Sequence, residues 1–372
     1  MADKNPLEFH HWYSVFSKDY KTHLIDHSIR RAFRDSLGSE EDYKDPKWPP
    51  NSAPPIIRTF SLSKFFRLYD LPFKRAAPLL FQRLRNDTWR INEELYADQF
   101  DHRMTPVSGL GFSGSLFFFT KDRSYIVKSV GRRFEYTFLY TQCIGAYAKY
   151  ITENTKSLLC RITDVLFCFD QHLGGVLGMS PSHYIVMENL LKEMDVEKGW
   201  VKWDLKPQKF FEPTRDLIPD KIKTEQAKSG LADAMEDDRI ILTKEQRHEL
   251  WILLERDTEF LETIETIDYS LLLARFPVSK NPELKPPKPE AWITGVTSAD
   301  GKYVYRACIV DFLWNVNQLQ AKITRTAGML LPEQTVTTQP GRYRREFLSM
   351  VDEYVDVFED LEDLEASSSG TT

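Results

Sequence analysis

The sequence predicts an α+β protein, in which an antiparallel sheet with flanking helices precedes a half rich in helices and insertions. Two observations carry this prediction. Residues 109–130, GLGFSGSLFFFTKDRSYIVKSV, place two β-rich runs on either side of the turn-prone TKDRS, which indicates an antiparallel hairpin. Residues 243–267 form the clearest amphipathic helix of the chain, and a capping-type Thr243 precedes Gln246 by three residues.

The remaining elements follow from the spacing of apolar residues along the chain. Helices are predicted over residues 13–37, 75–96 and 134–151, and strands over residues 184–189 and 303–313. The proline-rich run at residues 45–55 predicts an extended connector. Residues 277–301, rich in Pro and Lys, are interpreted as a mobile insertion. The acidic, then Ser-rich, tail at 359–372 is predicted to be disordered.

The composition excludes several classes of protein. Hydrophobic residues at 42% and charged residues at 28% are typical of a globular chain rather than a disordered one. A formal net charge of -6 lacks the basic excess of most nucleic-acid binders. No apolar run approaches the roughly 20 residues that span a bilayer, and the N-terminus lacks a secretory pattern. The sequence predicts a cytoplasmic protein, with peripheral membrane contact and a nuclear location left open.

The cysteine and histidine patterns give no metal or disulfide site. The four cysteines have no close pair, whereas zinc sites and disulfide frameworks use paired spacings; they are Cys143, Cys160, Cys168 and Cys308. None of the 8 histidines stands in an HExxH arrangement. Reduced, mostly buried thiols are expected.

A glycine-rich hairpin followed by a lysine is the first candidate site. Backbone N–H groups of such a hairpin approach phosphate oxygens closely because glycine carries no side chain. A lysine on the next strand then supplies a positive charge for the same phosphates. On spacing alone, an ordinary Gly-Ser turn and a solvated surface lysine are the more common explanation of the pattern. The residues are Gly109, Gly111, Ser113, Gly114, Ser115 and Lys128.

Two aspartates complete the candidate chemistry. Asp268, in TIDYSLLL, follows the long helix and stands before an apolar run, where a single aspartate is more often a helix C-terminal residue or a turn residue than a catalytic one. Asp311, in ACIVDFLW, follows a buried-type strand and is suited either to a metal ligand or to a helix N-cap. A lysine followed by two separated aspartates is the order that a kinase needs. The protein-kinase loop HRDxxxxN is absent from the chain.

These segments resemble the phosphatidylinositol phosphate kinases. GFSGSLFFFTKDRSYIVKSV is similar to the family signature GKSGSxFFFTxDxxFxIKT, and ERDTEFLETIETIDYSLLL to RDxxFLxxxxIMDYSLL. Other matching segments keep the family's order between about residue 73 and residue 351: FKRAAPLLFQRLRNDTWRI, AYAKYITENTKSLLCRI, YIVMENL, WDLK, ACIVDFL and QPGRYRREFLSMV. The resemblance implies a two-lobed fold like that of SAICAR synthase, with an antiparallel sheet in each lobe.

The resemblance also implies a role for each matching residue. Gly111, Ser113, Gly114 and Ser115 would cover the phosphates of ATP. Lys128 would hold these phosphates, paired with Glu135, and Met187, Asn189 and Leu190 would form the hinge beside adenine. Asp268 and Lys206 would be catalytic, with Lys206 able to reach phosphate, and Asp311 would bind Mg²⁺. The lobes would be residues 73–190 and 191–358, after an N-terminal helix and connector at 1–72.

Two departures from the family leave the substrate open. The family's DLKGS reads Asp204-Leu205-Lys206-Pro207-Gln208, and its activation-segment lysine pair is replaced by Gln320 and Ala321. Ile323 stands near the position that separates 4-kinases from 5-kinases, and it matches neither class. Lys322, Arg325, Arg342, Arg344 and Arg345 leave some positive charge nearby.

The first hypothesis is an ATP-dependent kinase of a phosphoinositide headgroup. The alternatives are a catalytically impaired kinase-fold protein that binds nucleotide or a partner, and a kinase of a soluble small molecule.

Overall fold

The chain divides into two compact units that each combine helices with antiparallel strands. The first unit is Met1–Tyr136 with Arg161–Asn189, and the second unit is Thr137–Cys160 with Leu190–Thr372. The predicted α+β class is thereby confirmed. The structure, a computed structural model, describes residues 18–35, 73–107, 115–168, 181–207, 235, 238–317 and 338–358. The predicted connector at 45–55 and tail at 359–372 lie outside these ranges.

A six-stranded antiparallel sheet organises the first unit. Its helices are α1 (Lys18–Asp35), α2 (Pro78–Arg83), α3 (Glu93–Asp101) and the start of α4 (Arg133–Phe138). Its strands are β1 (Phe73–Arg75), β2 (Thr105–Val107), β3 (Phe117–Phe119), β4 (Tyr125–Ser129), β5 (Ile162–Cys168) and β6 (His183–Glu188). The strand order is β1-β5-β6-β4-β3-β2. The pairing of β3 with β4 confirms the predicted hairpin.

The core of the first unit lies on one face of this sheet. The face contributes Phe118, Val127 and Val186, all fully buried. Helices α1 and α3 cover it, and the rings of Phe33 and Phe100 stack with centroids 3.7 Å apart. Apolar residues whose helical spacing predicts α1 are therefore the residues that pack it against the sheet.

Four strands form the larger sheet of the second unit. They are β7 (Val201–Leu205), β10 (Ser270–Pro277), β11 (Val296–Thr297) and β12 (Tyr303–Val310), in the order β11-β12-β10-β7. Two small sheets pair β9 (Thr266–Ile267) with β13 (Trp314–Asn315), and β8 (Ile240–Leu242) with β14 (Val355–Val357). The helices are α5 (Ile144–Glu153), α6 (Lys244–Thr263) and α7 (Pro340–Glu353). None of the helices in the described ranges is long and apolar enough to cross a membrane.

Two of the predicted helices are interrupted in the structure, and a third ends earlier than predicted. The helix predicted over 75–96 is divided, because Arg90 adopts a left-handed backbone (φ 58°) and Asn92 starts α3 as its N-cap. The N-cap oxygen accepts the N–H of Leu95 at 2.9 Å. A wider turn of π-type helix over Leu139–Cys143 interrupts the helix predicted over 134–151. The capping box of Thr243 and Gln246 is confirmed, although α6 ends at Thr263.

The stretch interpreted as a mobile insertion, 277–301, has packed side chains. Asn281 is buried, accepts from the Trp200 indole at 3.0 Å and donates to the carbonyls of Lys198 and Pro277. Trp292 is also buried, and β11 adds a strand to the sheet. Mobility of this stretch stays a prediction.

Candidate active site

Lys128 lies on β4, on the face of the sheet opposite the core. The strand alternates, so that Tyr125 and Val127 are buried in the core while Lys128 is half-buried on the other face. Lys128 is opposite Phe117 on β3 and Ile185 on β6, and its ammonium lies 5.5 Å from the centre of the Phe117 ring. The sheet therefore fixes the backbone of this lysine on both sides.

The glycine-rich turn itself lies outside the described residues, which exclude 108–114. Gly109, Gly111, Ser113 and Gly114 belong to that range, and their predicted contact with phosphate stays a prediction. Ser115 is described and stands half-buried just before β3. Glu135 lies on α4, where its carboxylate is 3.4 Å from the Arg132 guanidinium. Its predicted pairing with Lys128 also stays a prediction.

The residues predicted as the hinge span the boundary between the two units, which falls between Asn189 and Leu190. Met187 is paired on β6 between β4 and β5. The N–H of Asn189 donates to the Ser124 carbonyl at 2.8 Å, and its side-chain amide donates to the Arg123 carbonyl at 2.7 Å. This amide therefore anchors the turn of the β3–β4 hairpin.

Lys206 and Asp268 form an ion pair in the second unit. The Lys206 ammonium lies 3.1 Å from Oδ1 of Asp268, and their side chains are 16% and 22% exposed. The sheet brings them together over 62 residues of chain, because β7 pairs with β10 and places Leu205 opposite Leu271. A pair this far from bulk solvent is screened less than a surface ion pair.

Asp311 lies at the same end of this sheet. It follows β12, whose last residue Val310 is opposite Ser270, the first residue of β10. Burial opposes the charged form of Lys206, but the carboxylates of Asp268, Asp311 and Asp204 together raise the pKa of its ammonium. The ammonium is therefore held charged among three carboxylates.

Both predicted aspartates have left-handed backbones, with φ of 65° at Asp268 and 63° at Asp311. This conformation is uncommon outside glycine, although aspartate tolerates it better than most residues. Asp268 lies between β9 and β10, beyond the end of α6, so it does not cap that helix. Asp311 is followed by a turn and by β13, so no helix begins directly after it. The helix C-terminal interpretation of Asp268 and the helix N-cap interpretation of Asp311 are thus excluded, whereas Asp268 does lie in a short connection between two strands.

The donor set at this end of the sheet fits Mg²⁺ bound together with phosphates. No group of three or more metal-binding side chains occurs among the residues that the structure describes. Mg²⁺ is commonly bound by one or two carboxylates plus waters and substrate phosphates, rather than by a full protein cage. Asp311 offers a carboxylate of that kind.

Two residues near this site are not among the predicted site residues. Asp204 on β7 contributes to the charge around Lys206. Tyr343 on α7 is fully buried and donates its hydroxyl to the Tyr269 carbonyl at 2.6 Å. The motif QPGRYRREFLSMV, which resembles a family segment, contains Tyr343 and is the sequence signal for it.

The departures from the family pattern lie partly within the described ranges. Pro207 is buried directly after Lys206. Arg344 donates to Thr258 and to the Glu255 carbonyl on α6, each at 3.2 Å, and lies 3.4 Å from Glu262. Its positive charge therefore packs against α6. Outside the described ranges lie Gln208, Gln320, Ala321, Lys322, Ile323 and Arg325.

A family model gives the first comparison with known proteins. The model described as Phosphatidylinositol-4-phosphate 5-Kinase matches residues 99–287, just over half of the 372 residues. This range contains Lys128, Lys206 and Asp268, and it ends before Asp311 and Tyr343.

Three curated relatives are similar at modest identity. Phosphatidylinositol 4-phosphate 5-kinase 7 of Arabidopsis thaliana is 26% identical over 237 residues, 62% of this chain and 29% of that protein. The type-1 sktl enzyme of Drosophila melanogaster is 27% identical over 204 residues, 55% of this chain and 24% of that protein. The type-1 beta enzyme of Mus musculus is 29% identical over 207 residues, 55% and 36% respectively. The chain thus matches well under half the length of these relatives.

Proposed function

We propose, from the premise that the chain belongs to the phosphatidylinositol-4-phosphate 5-kinase family, that it transfers phosphate from ATP to an inositol-ring hydroxyl of a phosphoinositide. The observation that carries this proposal is the Lys206–Asp268 ion pair beside Asp311 at one end of the second unit's sheet. A lysine and two carboxylates in this arrangement supply the groups that phosphoryl transfer needs.

Each of these side chains has a part in the proposed reaction. Asp268 orients the acceptor hydroxyl and accepts its proton as the bond to phosphorus forms. Lys206, kept charged by its neighbours, is suited to bind a phosphate oxygen. Asp311 would hold Mg²⁺, which when bound neutralises charge on the transferring phosphate. Lys128, on the first unit, would bind the phosphates of ATP.

A second candidate function is nucleotide binding without lipid phosphorylation. The family's DLKGS has Gly-Ser where this chain has Pro207 and Gln208. Proline has no N–H to donate and fixes its own backbone, so a phosphate cradle built on that turn is altered. The charge of Arg344 packs against α6, which favours the same candidate. A phosphoinositide headgroup is highly anionic, and its binding normally needs several basic residues.

Consumption of Mg-ATP by the purified protein separates these functions. The substrates are vesicles of each mono-phosphorylated phosphatidylinositol and, separately, soluble inositol phosphates. We expect turnover on one lipid, lost by roughly 100-fold or more in Asp268→Asn and strongly reduced in Lys128→Met. Lys121→Met is the matched control, because this exposed lysine lies on the turn of the same hairpin.

The outcomes assign the function. Lipid turnover that depends on Asp268 and Lys128, but not on Lys121, supports the proposal. Turnover confined to soluble inositol phosphates assigns a soluble-substrate kinase instead. Absence of turnover on the whole panel, with ATP binding retained, rejects the lipid kinase in favour of the second candidate.

A further inference from the structure

The left-handed backbone at Asp268 needs support from its surroundings. Such a conformation is strained for a residue other than glycine and persists only where the fold determines it. Before Asp268, the pairing of Ile267 with Trp314 fixes the chain. After it, Tyr269 lies outside the strands and is nonetheless almost fully buried. The contacts of Tyr269 therefore decide how the turn is held.

Helix α7 contacts Tyr269 in two ways. The Tyr343 hydroxyl donates to the Tyr269 carbonyl at 2.6 Å, across 74 residues of chain. The rings of Tyr343 and Phe347 also meet the Tyr269 ring edge to face, with centroids 4.8 Å and 5.0 Å away. Residues four apart on a helix share one face, so a single turn of α7 binds both the carbonyl and the ring.

This contact fixes the backbone on the far side of the candidate catalytic carboxylate. The bonded carbonyl belongs to the peptide that joins Tyr269 to Ser270, where β10 begins opposite Val310. With β9 fixed before the turn and this peptide fixed after it, Asp268 has little backbone freedom. Its side chain then reaches Lys206 from one defined position.

We infer that Tyr343 is a positioning residue for Asp268, acting through its hydrogen bond to the Tyr269 carbonyl. The inference rests on the proposed function, since it assigns Asp268 the work of orienting the acceptor hydroxyl. Burial, and then the nearby Asp268 carboxylate, raise the pKa of the Tyr343 phenol well above its usual value. The hydroxyl therefore stays a donor throughout the neutral range in which a kinase is assayed.

The substitution Tyr343→Phe removes the hydroxyl and keeps the ring that packs on Tyr269. We expect kcat for phosphoryl transfer to fall about ten-fold or more, equivalent to about 1.4 kcal/mol in the barrier. KM for ATP should change by less than about two-fold, because an interaction that acts on the reacting geometry lowers kcat rather than binding.

Tyr305→Phe is the matched control in the same unit. Tyr305 is equally buried, accepts the N–H of Ile241 at 3.1 Å and donates to the Arg239 carbonyl at 3.3 Å. It precedes Asp311 by six residues of β12, roughly 20 Å at the rise of a strand. This variant loses comparable buried hydrogen bonds, and its kcat should stay within about two-fold of the wild type.

Backbone hydrogen exchange gives a readout that does not need turnover. In Tyr343→Phe, the amides of residues 268–270 should exchange faster than in the wild type, and in Tyr305→Phe they should not. A selective loss of kcat with this local exchange supports the inference. A kcat within two-fold of the wild type, or an equal loss in Tyr305→Phe, overturns it. If the wild type has no turnover, the proposed function fails and the exchange alone decides whether Tyr343 holds the turn.

Discussion

We expect His183 to make the stability of the first unit depend on pH in the acid range. It is the first residue of β6, is fully buried and stacks on Tyr136 with ring centroids 4.0 Å apart. Burial lowers the pKa of His183 from 6.5 to about 4, because the charged imidazolium loses its hydration there. Strand β6 pairs with the Lys128 strand, so unfolding here disturbs the candidate ATP-phosphate site.

The sign and size of the effect follow from proton linkage. Between pH 6.5 and about 4 the unfolded chain binds a proton at His183 that the folded chain does not bind. The stabilising contribution is therefore complete above pH 6.5 and is lost as the pH falls towards 4. At about 1.36 kcal/mol per pH unit, the full interval of about 2.5 pH units is worth roughly 3.4 kcal/mol.

The substitution His183→Phe keeps an aromatic ring against Tyr136 and removes the titrating group. Urea unfolding at several pH values from 4 to 7, followed by hydrogen exchange of the β4 and β6 amides, measures the free energy of unfolding of this region. We expect the variant to lose roughly 3 kcal/mol of the acid dependence found in the wild type. Tyr184→Phe, at the adjacent buried residue, should change stability while keeping the wild-type pH slope. Equal slopes in wild type and His183→Phe would refute the reasoning.

Two further predictions concern α6, the helix that precedes the Asp268 turn. Thr243→Ala removes the capping oxygen that accepts the Gln246 N–H, and should lower the free energy of unfolding by about 1 kcal/mol in urea titrations; an unchanged midpoint contradicts this. Asp257 is buried on α6 and accepts from Tyr150 and from the N–H of Leu158, and burial raises the pKa of its carboxyl. The contribution of Asp257 to stability is therefore greatest below pH 3.8 and is lost as the pH rises through the raised pKa of the folded protein. In Asp257→Asn, urea titrations should no longer show this loss of stability with rising pH. A loss that persists in the variant contradicts the prediction.

The elements that the sequence predicts best depend on neighbours in the chain. The β3–β4 hairpin follows from two apolar runs around a short turn, and α6 begins where Thr243 and Gln246 form their capping box. These signals lie within a few residues of one another, so hydrophobic spacing and cap chemistry are sufficient. Strands β5 and β10 are not predicted, because short apolar runs do not distinguish a strand from a buried helix. Strand β7 is not predicted because VKWDL opens a charged, poorly periodic stretch of the sequence.

The site is a product of contacts between distant parts of the chain. Asp268 and Asp311 could be singled out by their positions after other elements and by the family resemblance. Neither signal predicts that Lys206 contacts Asp268, which is 62 residues away in the chain. Neither predicts that Tyr343 contacts Tyr269, which is 74 residues away. The left-handed backbone at both aspartates is likewise set by the sheets around them, since local propensity alone disfavours it.

The strain at the two aspartates and the desolvation of Lys206 help to distinguish a catalyst from a protein that only binds. Two aspartates adopt a conformation that glycine or asparagine would adopt with less strain, and Lys206 gives up hydration to lie among carboxylates. A protein that only bound a nucleotide or partner would gain stability from relieving these strains. Phosphoryl transfer, in contrast, needs a fixed carboxylate beside a fixed charge. The strained turn at Asp268 therefore favours the proposed kinase over a protein that only binds, and we propose that the altered residues after Lys206 affect which substrate this kinase accepts.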